Sequence, residues 1–265
     1  MDHENFAVHA ALDTPIIVSP RAFLTLDALI GALIYERTQD AMFAMCAVPL
    51  AGTDDTRHGS AAFLMGDVRP APRGAAVFRG GLQPREASEP RFAWPSRKFK
   101  GRRQYTAINQ KSGVYRNTLD AYEALEAERI VWCGRGDIAA VGELLSELTH
   151  VGRKTRQGYG RLVPGSLRIE PYEADRSIAW PLEDRAIPMR PVDIDTWQAL
   201  GFGTEGLRIE SATDRMPYFN PGGQRLCVLP STRRAWWADD AQTWLQLCSF
   251  QPSTHAGRMP DSLSE

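Results

Sequence analysis

Three glycines, three cations and a tyrosine fall within the ten residues Val151 to Gly160, V-G-R-K-T-R-Q-G-Y-G. Glycine lets the main chain take positive φ and approach a ligand closely, so that successive N–H groups can face one phosphate. Arg153, Lys154 and Arg156 would add charge, Arg161 extends it, and Tyr159 offers a stacking face. The residues therefore suit a loop that grips an RNA backbone. A nucleoside-triphosphate loop is excluded, because that motif needs Lys-Ser/Thr directly after its last glycine and Tyr159 follows Gly158. The competing reading is a helix C-cap and turn, with Gly152 as its left-handed residue.

A second cationic region lies upstream. No acidic residue occurs between Glu89 and Asp120, while Arg91, Arg97, Lys98, Lys100, Arg102, Arg103, Lys111 and Arg116 fall inside that stretch. In a chain of net charge −1, such segregation marks an electrostatic footprint. Phe92, Trp94, Phe99, Tyr105 and Tyr115 are interleaved with the cations, which suits a surface that grips phosphates while bases stack on rings. The alternative is a long hairpin covering the sheet, with aromatics inward and cations outward. Acidic residues return at Asp120 to Glu128 and bound the basic segment.

Catalysis would need a general base and a cation for developing phosphorane charge. His58 and His150 are the mid-chain histidines. His150, beside the glycine loop, is the better candidate for metal-independent RNA cleavage, with Tyr159 and Lys154 as possible partners. A histidine at a helix C-terminus is also explained by the helix dipole, and His58 sits in a polar turn. Asp54 and Asp55 are adjacent with no further ligand at suitable spacing, so no metal and no cofactor are expected. Cys46, Cys133, Cys227 and Cys248 are widely separated and read as reduced core residues.

The elements that must position these groups follow from periodicity. Phe6 to Leu12 and Ile16 to Val18 read as strands. A helix follows with Thr25 as N-cap and Leu26, Leu29, Ile30, Leu33 and Ile34 on one face, running to about Thr38. Met42 to Leu50, Ser60 to Met65 and Ala75 to Phe78 read as strands, and Arg129 to Cys133 as another. Asp137 caps a helix carrying Ile138, Val141, Leu144, Leu145 and Leu148 on one face. Arg161 to Glu170 reads as a strand. The first 170 residues thus have α+β character in ferredoxin-like (RRM-like) βαββαβ order, with a basic thumb inserted at about 81–128. A smaller β-rich part at 171–250 includes a Pro-rich connector at Pro181 to Pro191 and short strands at Gly206 to Ile209 and Leu226 to Leu229. Trp236, Trp237 and Trp244 read as core or a partner surface, and 251–265 as a loose tail. With 43% apolar residues and no run approaching a membrane span, the expectation is a soluble cytoplasmic protein.

Together these features resemble the RAMP superfamily of CRISPR-associated proteins. The segment T-L-D-A-L-I-G-A-L-I-Y-E from Thr25 to Glu36 looks like their Leu-Asp-Ala-Leu helix after the first strand. Val151 to Gly160 is similar to their glycine-rich loop, and Arg91 to Arg116 to the thumb hairpin that several thread against guide RNA. Within the superfamily, the length and the single glycine loop resemble the fifth-numbered Cas family, which caps the 5′ handle of the guide RNA, in its type IV version. The resemblance covers about residues 6 to 170. It implies a ribonucleoprotein containing guide RNA (crRNA), repeated RAMP backbone subunits and a large-subunit neighbour. It also implies handle contacts from Arg153, Lys154, Arg156, Tyr159 and Arg161, and a clamp from Arg97, Lys98, Lys100, Arg102 and Arg103. Two alternatives stay open: a guide-RNA-processing endoribonuclease using His150, and a protein-binding adaptor.

Overall fold

The computed structural model describes residues 3–18, 23–53, 56–71, 75–79, 95–99, 102–105, 118–183, 185–216, 218 and 221–230. Strands β1 (Glu4–Ala11) and β2 (Ile16–Ile17) precede helices α1 (Leu26–Thr38) and α2 (Ala41–Cys46). Next come β3 (Phe63–Met65), β4 (Arg69–Pro70), β5 (Ala75–Arg79), β6 (Pro95–Phe99), β7 (Arg102–Tyr105), β8 (Thr118–Tyr122), β9 (Ala124–Glu126) and β10 (Arg129–Gly136). Helix α3 (Ile138–Leu145) leads to β11 (Arg168–Pro171), β12 (Ala179–Pro181), β13 (Ala186–Pro188) and β14 (Val192–Asp193). Helix α4 (Ile194–Ala199), β15 (Ile209–Thr213) and β16 (Gln224–Val228) follow.

The central sheet has the order β11-β1-β10-β3, and each neighbouring pair is antiparallel. Helix α1 lies in sequence between β1 and β3, and α3 between β10 and β11, which is βαββαβ connectivity in an α+β fold. Alternation along the strands gives the sheet two buried faces. Phe6, Val8, Ala10, Ile130 and Trp132 join one cluster with Leu26, Leu29, Ile30 and Ile34 of α1 and Val141 and Leu145 of α3. Phe63 and Cys133 turn the other way, onto Trp180, Ile187 and Met189 of the β12/β13 hairpin and its exit.

Both long helices begin where their residues require. Asp137 caps α3 by accepting from the Ala140 N–H at 3.0 Å. Thr25 occupies the N-cap position of α1, but its side chain makes no capping bond; it is buried at the start of the core-facing stripe.

Four expectations are corrected. Met42 to Leu50 does not form a strand: Gln39 turns left-handed at the end of α1 (φ 57°), Asp40 accepts from the Phe43 N–H at 3.0 Å, and α2 begins. Its Ala- and Met-rich residues favour a helix once capped. Cys46 on that helix is exposed, whereas Cys133 and Cys227 are buried; all three are free thiols. The strand expected over Arg161 to Glu170 is confined to β11, because Pro164-Gly165 makes a turn with Gly165 at φ 69°. The connector at Pro181 to Pro191 includes a paired strand, β13. Cys248, the three tryptophans from Trp236 to Trp244 and the tail lie outside the described residues.

Candidate nucleic-acid interface

The glycine loop is built onto the sheet from both flanks. The Arg153 N–H donates to the Ile17 carbonyl at 2.9 Å, the Gly160 N–H to Pro15 at 2.9 Å and the Val151 N–H to Gly160 at 2.8 Å. Thr14 adds a clasp: its hydroxyl donates to the Gly158 carbonyl at 2.8 Å and accepts from the Arg161 N–H at 2.9 Å. Gly152, Gly158 and Gly160 all take positive φ. A side chain at Gly160 would collide with the Val151 carbonyl oxygen, whereas one at Gly158 would meet open space. Gly160 is therefore a packing requirement, while Gly158 meets a conformational one on an open surface.

Helix α3 ends at Leu145 with Ser146 as its cap, so Gly152 is not its left-handed C-terminal residue and the C-cap reading fails. Lys154 also has positive φ (60°), an uncommon conformation for a residue with a Cβ, at the start of the one-turn segment Thr155–Gln157. Strain of this kind concentrates at functional loops.

Two of the loop's three cations converge on a ring that sequence reasoning missed. The Arg153 guanidinium lies 5.5 Å, and the Lys154 ammonium 4.9 Å, from the centre of the Tyr122 ring. Tyr122 ends β8, whose register with β5 runs from Tyr122↔Ala75 to Thr118↔Arg79. It therefore stands at one end of the β5/β8 ribbon, whose other end, at Arg79↔Thr118, bounds the basic segment in sequence. Tyr122 escapes an argument from composition because it lies in the acidic stretch that bounds the basic segment. Its chain position, two residues before the apolar Ala124-Leu125 strand, is the signal that could have found it.

Among the described residues, no carboxylate pairs with Arg153, Lys154 or Arg156, and Arg153 and Arg156 are exposed. Two like charges on one ring repel each other, and an anion between them would relieve that repulsion. Arg161 differs: its guanidinium meets Asp13 at 2.5 Å, a half-exposed pair. Tyr159 packs beside Tyr122 on Ile17 and Ala124, leaving its ring half-buried.

Within the excursion, β6 and β7 form an antiparallel hairpin whose register places Lys98 opposite Arg103 and Arg97 opposite Gln104. Arg102 pairs in register with Phe99, and Lys100 lies outside the described residues.

The two histidines have different surroundings. His150 is five residues beyond α3, so the helix dipole does not explain it, and its Nδ1 reaches the adjacent Thr149 hydroxyl at 3.0 Å. His58 instead places Nδ1 at 2.8 Å from Asp175 and 3.0 Å from the Ser177 hydroxyl. Burial works against ionising Asp175, but hydrogen bonds from His58 and from the Ser177 hydroxyl and N–H outweigh it, holding the carboxyl well below the usual range.

The molecule is thus an α+β protein with a cationic, glycine-shaped loop at one end of a β-ribbon. A family model described as CRISPR type IV associated protein Csf3 matches residues 87–198, a span that contains the basic hairpin, Tyr122 and the glycine loop. The match supports a type IV CRISPR-associated protein. No curated protein matches the chain. No helix among the described residues is long and apolar enough to cross a membrane.

Proposed function

We propose that this chain is the RNA-binding subunit of a type IV CRISPR ribonucleoprotein and holds the 5′ handle of the guide RNA. The observation that carries this reading is the pair of cations, Arg153 and Lys154, over the Tyr122 ring at one end of the β5/β8 ribbon, with no carboxylate among the described residues to neutralise them. Arg153, Lys154 and Arg156 contact handle phosphates, Tyr159 borders a base, and Arg97, Lys98, Lys100, Arg102 and Arg103 clamp the strand along the hairpin. Arg161, engaged by Asp13, shapes the loop and adds only long-range charge. Repeated RAMP subunits and a large-subunit neighbour flank the chain in the complex.

Purification from a host expressing the neighbouring genes, followed by sequencing of the retained RNA, tests this reading. A uniform short RNA with a constant 5′ end is expected. Random fragments, or no RNA at all, would transfer the weight to a protein-binding role.

A further inference from the structure

Helix α2 carries Met42, Met45 and Cys46 at i, i+3 and i+4, so one face of a single turn presents two thioethers and a thiol. Its backbone is held by the Asp40 cap and by Ala44, which belongs to the same buried cluster as the apolar stripe of α1. The sulfur-bearing face is not spent on packing, since Met42 is 69% exposed and Cys46 is exposed as well.

Met216 brings a third thioether from the chain beyond β15. Gly31, inside α1, admits it: a Cβ there would lie 3.0 Å from the Met216 Sδ and 3.8 Å from the Ala44 carbonyl oxygen. The Met216 sulfur and the backbone of α2 therefore flank one point on α1, which explains a glycine in the middle of that helix.

Met42, Met45, Cys46 and Met216 line one cleft of about 90 Å³, well below the size of a pocket for an organic ligand. Asp27 lines it too. That residue is 1% exposed, and its Oδ2 accepts from Tyr218 and Arg190, whereas its Oδ1 has no hydrogen-bond partner among the described residues. Sulfur donors around a small cleft, with a buried carboxylate oxygen left over, form a ligand set for a metal ion. Thioether and thiolate are soft donors that select copper(I), while magnesium and calcium take oxygen ligands and zinc takes Cys, His and carboxylate. Arg57 and Arg215 also line the cleft and disfavour a divalent ion. A monovalent ion joined to one thiolate adds no net charge beside them.

We propose that this cleft binds a soft monovalent metal ion, copper(I) or silver(I), through the Cys46 thiolate and the thioethers of Met42, Met45 and Met216. On binding, the Cys46 S–H bond breaks, sulfur bonds the metal and the proton passes to solvent. The ion stays at +1 and nothing is oxidised. The site does not rest on the RNA-binding role proposed above.

The test titrates the reduced chain with copper(I) in the absence of oxygen, in competition with bicinchoninate, whose copper(I) complex is coloured. One ion withdrawn per chain is expected, with an affinity that rises with pH as the thiol proton is displaced. Cys46→Ser should weaken binding by about a hundredfold, and Met216→Leu, which keeps the volume, by about tenfold. Cys248→Ser should bind as the parental chain does. Failure to take copper(I) from the chelator overturns the proposal, and so does parental affinity in Cys46→Ser. Parental affinity in the Met42→Leu/Met45→Leu/Met216→Leu chain would leave a bare thiol and overturn it as well.

Discussion

Arg190 and the pair Arg153/Lys154 are cations in opposite circumstances. Arg190 is fully buried, and its Nη2 donates to the Asp214 carbonyl at 2.7 Å and the Tyr218 hydroxyl at 2.5 Å, with Asp27 at 3.3 Å. Its Nη1 donates to the carbonyls of Arg57 and Gly59. Tyr218 in turn donates to Asp27 at 2.6 Å, which joins the first turn of α1 to the chain beyond β15. Burial, then the Asp27 charge, pushes the Tyr218 phenol up, so it stays a donor. Arg153 and Lys154 have an aromatic ring in place of this carboxylate and carbonyl cage. A cation whose donors are consumed internally holds the fold together, whereas one whose field is left unanswered is available to a ligand.

Substitutions should separate the two. Arg190→Ala leaves Asp27 buried without its counter-charge and should cost about 3–5 kcal/mol, visible as a lowered denaturant midpoint. Gly160→Ala should be the next most damaging change, about 2–4 kcal/mol, because the added methyl meets the Val151 carbonyl and the residue must hold positive φ. Gly158→Ala, with open space around it, should cost only about 1–2 kcal/mol. Equal losses at the two glycines would mean that the loop is not anchored as described.

Lys154→Ala combined with Arg156→Ala should leave stability within about 0.5 kcal/mol. Asp175→Asn should act on pH dependence. The folded protein holds the Asp175 proton less readily than the unfolded chain, so the contribution of the carboxylate is full above about pH 4 and is lost as pH falls below it. The Asn variant should therefore show a flatter acid limb in its stability curve.

The elements with long periodic signals were legible in the sequence. The stripe at Leu26, Leu29, Ile30 and Ile34 and the Asp137 cap marked both helices, and the alternation in β1 and β10 marked the centre of the sheet. Short apolar runs were not, because Met42 to Leu50 has no period that separates strand from helix, and a single cap at Asp40 decided it. The cationic loop was visible as composition, but its aromatic platform at Tyr122 required the β2-β9 pairing, which joins segments far apart in the chain. The His58 partner was invisible for the same reason, since Asp175 lies more than a hundred residues away.

The most direct test of the central claim is the salt dependence of affinity for a short single-stranded RNA, compared between the parental chain and the Lys154→Ala/Arg156→Ala variant. The slope of log affinity against log salt should become shallower by about 0.7 for each phosphate that is no longer neutralised, and affinity at low salt should fall roughly tenfold to a hundredfold. Parallel lines with unchanged affinity would contradict RNA binding at the glycine loop.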